Sequence, residues 1–141
     1  AYTHAELKDD TPPETGGLAG DPLPWSPRFS GAVHAHYGFP LRGVADGFIG
    51  STLAYTGRQV TNLNERDADG GPVRIPTYTK VDLRAGVNVD RWTIEAFAKN
   101  LFNKKGITSA TGFDGTALPE GAATLPVIRP RTIGVVATMK Y

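Results

Sequence analysis

The residues R-P-R-T-I-G-V-V-A-T-M-K-Y, Arg129–Tyr141, carry the reading that decides the fold. Apolar and polar side chains alternate down this stretch. Ile133, Val135, Ala137, Met139 and Tyr141 share one face, and Thr132, Gly134, Val136, Thr138 and Lys140 share the other. A period of two belongs to a β-strand, whose successive side chains point to opposite faces. The strand closes on an aromatic ring, a group that favours the boundary between an apolar layer and water.

Working outward, the same period predicts five more strands. These are roughly Ala1–Leu7, Phe29–Phe39, Phe48–Arg58, Tyr78–Val87 and Trp92–Leu101, with residues 130–141 as the sixth. The cleanest alternation sets Thr79, Val81, Leu83, Ala85 and Val87 against Lys80, Asp82, Arg84 and Gly86. Next to it, Trp92, Ile94, Ala96 and Ala98 oppose Thr93, Glu95, Phe97 and Lys99.

The links alternate strictly. Short connections follow the second strand (G-F-P-L-R-G-V-A-D) and the fourth (around Asn88–Arg91). The others, approximately 8–28, 59–77 and 103–129, are long and rich in Gly, Pro, Asp and Thr. Antiparallel strands with tight turns at one end and long loops at the other have the layout of an outer-membrane β-barrel, turns periplasmic and loops outside. The fold class expected is therefore all-β, an antiparallel up-and-down transmembrane barrel segment of about six strands, with residues 1–141 as one unit.

Composition agrees. Mean hydropathy is −0.25, and no run approaches the ~18 apolar residues of a spanning helix. Barrel strands hide their hydrophobicity by alternating it. A net charge of +1 gives no push toward nucleic acid, and the absence of cysteine excludes disulfides and thiolate metal sites. No charged-then-apolar leader is visible at Ala1, which opens directly in strand-like sequence as though mid-fold.

Energetics predict which face meets lipid. Slipping the fourth strand by one residue would turn Lys80, Asp82 and Arg84 outward, and each Lys or Arg at the midplane costs roughly 2–4 kcal/mol. A domain has only ~5–15 kcal/mol to lose. The charged face therefore looks into the lumen. Phe39, Trp92 and Tyr141 fall near the periplasmic ends and Phe29, Tyr55 and Tyr78 near the outer ends, as two girdles, with Trp92 and Tyr141 the clearest members. Asn100 resists, since its parity with Trp92 points it at lipid unless a bulge intervenes. A soluble β-sandwich, serving as a binding or adhesion module, would show the same alternation with its apolar face against a second sheet.

Motifs add a resemblance. P-T-Y-T-K-V-D-L-R-A-G at 76–86, a turn, and W-T-I-E-A-F-A-K-N-L-F-N-K-K at 92–105 are similar to the C-terminal end of a TonB-dependent outer-membrane receptor. Arg129–Val135 resembles that family's final "x-P-R-T-(y)-G-(v)" strand, and L-P-W-S-P-R-F-S at 23–30 its upstream segment. The departures are Asn103 where Asp is commoner, Gly106 where an aromatic is usual, and Tyr141 where Phe is more frequent. The resemblance implies part of a 22-stranded, plugged barrel in the bacterial outer membrane. Such a barrel imports a scarce nutrient (siderophore-iron, cobalamin or carbohydrate) with energy from the TonB complex. The implied partners are the lipid bilayer, the small-molecule nutrient, and the plug and remaining strands on another polypeptide or upstream sequence. Nucleic acid is not among them.

Candidate sites follow. His34 and His36 share the predicted lumen face and could contact a ligand or, with a third group, a metal. His4 is strand-placed too. Lys80, Asp82, Arg84, Glu95 and Lys99 form an inward charge cluster able to pair across strands, suited to supporting the wall or contacting a plug, and less to binding substrate. In the long loop 106–128, Phe113 and Leu118 are candidate ligand contacts. Glu65, Asp67 and Asp69 near Gly70 faintly echo a calcium loop without its full spacing or distal Glu. No resident metal or cofactor is expected. Neither a G-x-S-x-G elbow nor H-E-x-x-H is present, so no catalytic residues are assigned and an enzyme is not expected. A barrel hydrolase is the third reading, after the transporter and the sandwich.

Overall fold

Alternation becomes strand nearly everywhere it was read. The computed structural model describes residues 1–43, 45–64, 70–109 and 125–141. The described residues form seven strands: β1 (Ser30–Pro40), β2 (Ala45–Thr56), β3 (Gln59–Val60), β4 (Arg74–Ile75), β5 (Tyr78–Val89), β6 (Trp92–Lys99) and β7 (Thr132–Met139). No helix occurs among the described residues.

Five of them make one open sheet in the order β1-β2-β5-β6-β7, with β1 and β7 at its edges. β5 and β6 are joined by Asp90 and Arg91 alone, and Val89 pairs with Trp92 across the turn. Asp90 holds φ at 51°, the left-handed region that a short polar side chain tolerates. At the same end Leu41 N–H closes the β1–β2 connection on Ala45 O, with Gly43 at φ 89°.

Register carries the faces across the strands. Leu83, Ala85, Val87 and Val89 stand opposite Ala98, Ala96, Ile94 and Trp92, which stand opposite Ile133, Val135, Ala137 and Met139. Three neighbouring strands thus present unbroken rows of apolar side chains on one face. That face is open: Val33 is 67 % exposed, Tyr37 66 % and Val135 71 %. Among the described residues no second sheet covers it as a sandwich would require. This is a soluble domain's amphipathicity turned inside out, as a barrel wall requires.

The chain divides into two units. One holds residues 32–55, 79–105 and 129–141, the body of the sheet. The other holds residues 1–31, 56–78 and 106–128, which are the N-terminal segment and the two longest internal links. Among the described residues, the buried apolar side chains are those of this second unit, Val60, Leu63 and Ile75, with β3 antiparallel to β4 through Gln59–Ile75 and Val60–Arg74. In sequence this link reads as loop, because strands of two residues are too short to show a period.

The expected first strand, Ala1–Leu7, is corrected. Its backbone bonds to residues 20–30, but its β-bridges are the isolated Tyr2–Phe29 and Glu6–Pro22, and it lies outside the five-stranded sheet. The two bridges differ in register, and the partner segment contains Pro22, Pro24 and Pro27, which have no N–H to give to a ladder. Between the bridges Trp25 takes φ 61° and donates its N–H to Val60 O.

Candidate functional site

The polar face of the sheet is the candidate site. Alternation brings His34 and His36 from β1, Thr52 from β2, Asp82 and Arg84 from β5, and Glu95, Phe97 and Lys99 from β6 to one side, around a cavity of about 500 Å³. His34 Nδ1 lies 3.0 Å from Thr52 Oγ1, and His36 packs beside Phe48 with ring centroids 5.9 Å apart. Those two histidines do share a face, but no cluster of three or more metal-ligating side chains occurs among the described residues.

The charges pair in two ways. Arg84 Nη1 reaches Glu95 Oε2 at 3.7 Å across the β5–β6 ladder, along a diagonal, since Arg84 is directly opposite Phe97 and Glu95 opposite Gly86. Lys80 Nζ instead pairs along its own strand with Asp82 Oδ2 at 3.0 Å.

Two of the cations also sit over rings, and each ring covers a glycine. Arg84 Cζ is 5.8 Å from the Phe48 centroid, and Phe48 lies where a side chain on Gly86 would stand. Lys99 Nζ is 5.3 Å from the Phe97 centroid, and Phe97 lies over Gly134. The glycines let rings from neighbouring strands lie flat on the wall, and the cations gain the attraction of the ring faces. Sequence reasoning found the five charged residues but not Phe48, Phe97 and their glycines. A Gly at period two on the strand beside an aromatic was the available signal.

Asn100, the position at odds with alternation, does not meet lipid. It follows the last residue of β6, takes φ 50° and is only 2 % exposed. Its Nδ2 donates to Lys104 O and to Arg129 O, both at 2.9 Å, and its Oδ1 accepts from Lys104 N at 2.9 Å. Its own N–H donates to Asp82 Oδ1 at 2.8 Å. Alternation ends because the strand ends.

At the short-link end, Trp92 begins β6, Tyr37 stacks on Phe39 with centroids 5.8 Å apart, and Tyr141 follows β7 with its ring wholly exposed. In the other unit Tyr2 and Phe29 are bridge partners, both largely exposed. Tyr78 begins β5, and its ring occupies the space above Gly106, where an added Cβ would meet Tyr78 Cγ at 2.5 Å. Outside the sheet, His4 and Arg28 flank Glu6 at 3.5 and 2.9 Å.

Residues 1–101 match the family described as TonB dependent receptor-like, β-barrel. The chain belongs to that family. No curated protein and no solved structure shows a significant match to it. Members of the TonB-dependent receptor family are transporters, not enzymes, and their barrels lie in the outer membrane. The matched span takes in β1 to β6 and ends at Leu101, while β7 is tied to that span by its full antiparallel register with β6.

The departures from the receptor pattern acquire local reasons. Asn103 sits at φ 50° and accepts from Arg131 N at 3.0 Å, and Gly106 leaves room for Tyr78. Phe113 and Leu118, and the acidic stretch with Glu65, Asp67 and Asp69, lie outside the described residues.

Proposed function

We propose that this chain is part of the barrel wall of an outer-membrane receptor that takes up a scarce nutrient (an iron chelate, cobalamin or a carbohydrate) with energy delivered through the TonB complex. One observation carries the reading: the apolar rows on β5, β6 and β7 face outward uncovered, while charged and hydrogen-bonding side chains share the opposite face. Lipid suits the first face and a water-filled or plugged lumen the second. The short turns then face the periplasm and the long links the exterior. Trp92 and Tyr141 join the periplasmic aromatic girdle.

Five strands leave two open edges, and an unsatisfied backbone group in lipid costs several kcal/mol. The remaining strands and the plug are therefore supplied by further polypeptide. The charge cluster of Lys80, Asp82, Arg84, Glu95 and Lys99 supports the wall and meets the plug. His34 and His36, and Phe113 and Leu118 on the outer loop, are the residues assigned to ligand contact. No catalytic role is assigned.

Fractionation tests the membrane half of the reading. The chain should sediment with outer membranes, resist extraction by alkaline carbonate and dissolve in detergent, and recovery as a soluble monomer would overturn it. Uptake tests the other half. Cells lacking the chain should lose accumulation of one nutrient from a panel of iron chelates, cobalamin and oligosaccharides, and the loss should match that caused by removing TonB. Arg84→Ala is expected to lower barrel abundance or plug retention and to leave uptake per barrel unchanged. Lost uptake at normal abundance would reassign Arg84 to substrate binding.

A further inference from the structure

We infer that Asn100 is a clasp that sets β7 in register on β6 independently of most of the link between them. A link of this length costs entropy to close, and a strand whose face alternates by one residue is ruined by a one-residue slip. Something near the strand ends must fix the return.

The clasp has three parts. Asn100 N–H is anchored to β5 through Asp82 Oδ1, whose other oxygen is held by Lys80. The Asn100 side chain folds Lys104 back with a two-way contact, Nδ2 to Lys104 O and Lys104 N to Oδ1. The same Nδ2 grips Arg129 O, three residues before β7 begins at Thr132. Asn103 adds a second grip, accepting from Arg131 N.

The chemistry singles out asparagine. Two donors on one nitrogen serve two carbonyls while the amide oxygen serves an N–H, and the residue tolerates the left-handed backbone found here. Aspartate has no donor for the carbonyls, and alanine satisfies none of the three groups. Both ends of the link are gripped within a few residues of the strands, and Gly106–Thr108 bond to Pro126–Ile128 just beyond the clasp, so residues 110–124 are not required for register. They are free to differ for the sake of what arrives from outside.

The chain has no cysteine, so paired cysteines report register cleanly. Ala98→Cys with Ile133→Cys places two thiols on directly opposed residues of β6 and β7, at a spacing a disulfide can span. Ala85→Cys with Ala96→Cys does the same for β5 and β6. Oxidation is performed on the full chain in isolated outer membranes. With Asn100 intact both pairs should cross-link, and they should still do so when residues 110–124 are replaced by a short Gly-Ser segment. In Asn100→Ala and in Asn100→Asp the β6–β7 cross-link should be lost and the β5–β6 cross-link kept. Retention of the β6–β7 cross-link in both variants would overturn the inference. So would loss of both cross-links together, which would make Asn100 a requirement of the whole sheet, or loss of the β6–β7 cross-link on replacing 110–124.

Discussion

The Phe97 ring occupies the space a side chain on Gly134 would need: a Cβ built there meets Phe97 Cζ at 2.7 Å. The matching pair on β2 and β5 is tighter, because a Cβ on Gly86 meets not only the Phe48 ring but also the backbone oxygen of Ile94, each at 2.5 Å. A ring end can swing away and a ladder carbonyl cannot. Gly86→Ala should therefore destabilise the barrel by about 2–3 kcal/mol, as overpacking does, while Gly134→Ala should cost about 1 kcal/mol or less. Urea unfolding in lipid vesicles, compared between the two variants, checks the order; equal costs would refute the distinction drawn between ring and backbone.

Val135 and Val136 are chain neighbours on opposite faces, Val135 in the apolar row with Ala96 and Val136 opposite Glu95. Val135→Arg should cost roughly 2–4 kcal/mol, the expense of a midplane cation on the lipid face. Val136→Arg should cost under about 1 kcal/mol, since a cation there gains a carboxylate neighbour in a polar setting. The same vesicle titration reads both, and a reversed order would mean that the faces have been assigned the wrong way round.

The Arg84–Glu95 contact, at 3.7 Å with the Arg84 side chain more than half exposed, should be weak. A double-mutant cycle with Arg84→Met and Glu95→Gln is expected to give a coupling of about 0.2–1 kcal/mol. It should shrink as salt rises past physiological strength, where the screening length falls below about 8 Å. A larger, salt-insensitive coupling would reveal a shielded pair.

Trp25 combines a left-handed backbone with an indole that is more than half exposed. Glycine adopts that conformation freely, whereas a side chain there costs about 1–2 kcal/mol. Trp25→Gly removes this strain and loses little packing, so stability should stay within about 1 kcal/mol of the parent once glycine's extra unfolded entropy is counted. Melting curves of the two chains decide it, and a drop well beyond that range would show that the indole holds its unit together.

Much of the sheet was legible because alternation is a direct image of two faces. β1, β2, β5, β6 and β7 fall within a few residues of the predicted segments, and the short links coincide with the observed turns. What escaped detection was irregular by nature. Ala1–Leu7 alternates convincingly yet pairs only in fragments, since its prolines-rich partner cannot continue a ladder. β3 and β4 are too short to have a period. Asn100 looks misplaced only if the strand is read on to Leu101, whereas β6 ends at Lys99. The polar cluster was readable as a set of charges, but its pairing was not. A diagonal Arg84–Glu95 contact and a same-strand Lys80–Asp82 contact depend on register and rotamer, which residue types alone do not encode.

Val60, Leu63 and Ile75 carry their own shelter from water, whereas Val33, Leu53, Leu83 and Val135 of the sheet lie open. One polypeptide thus contains two parts that regard different liquids as the good solvent for being folded. Moved from bilayer to buffer, the sheet loses the medium that made its outer rows favourable, while the small nucleus in the link between β2 and β5 loses nothing. Bilayer thickness and acyl-chain order should tune the first and leave the second untouched, and denaturant dissolved in the water should act on the second directly.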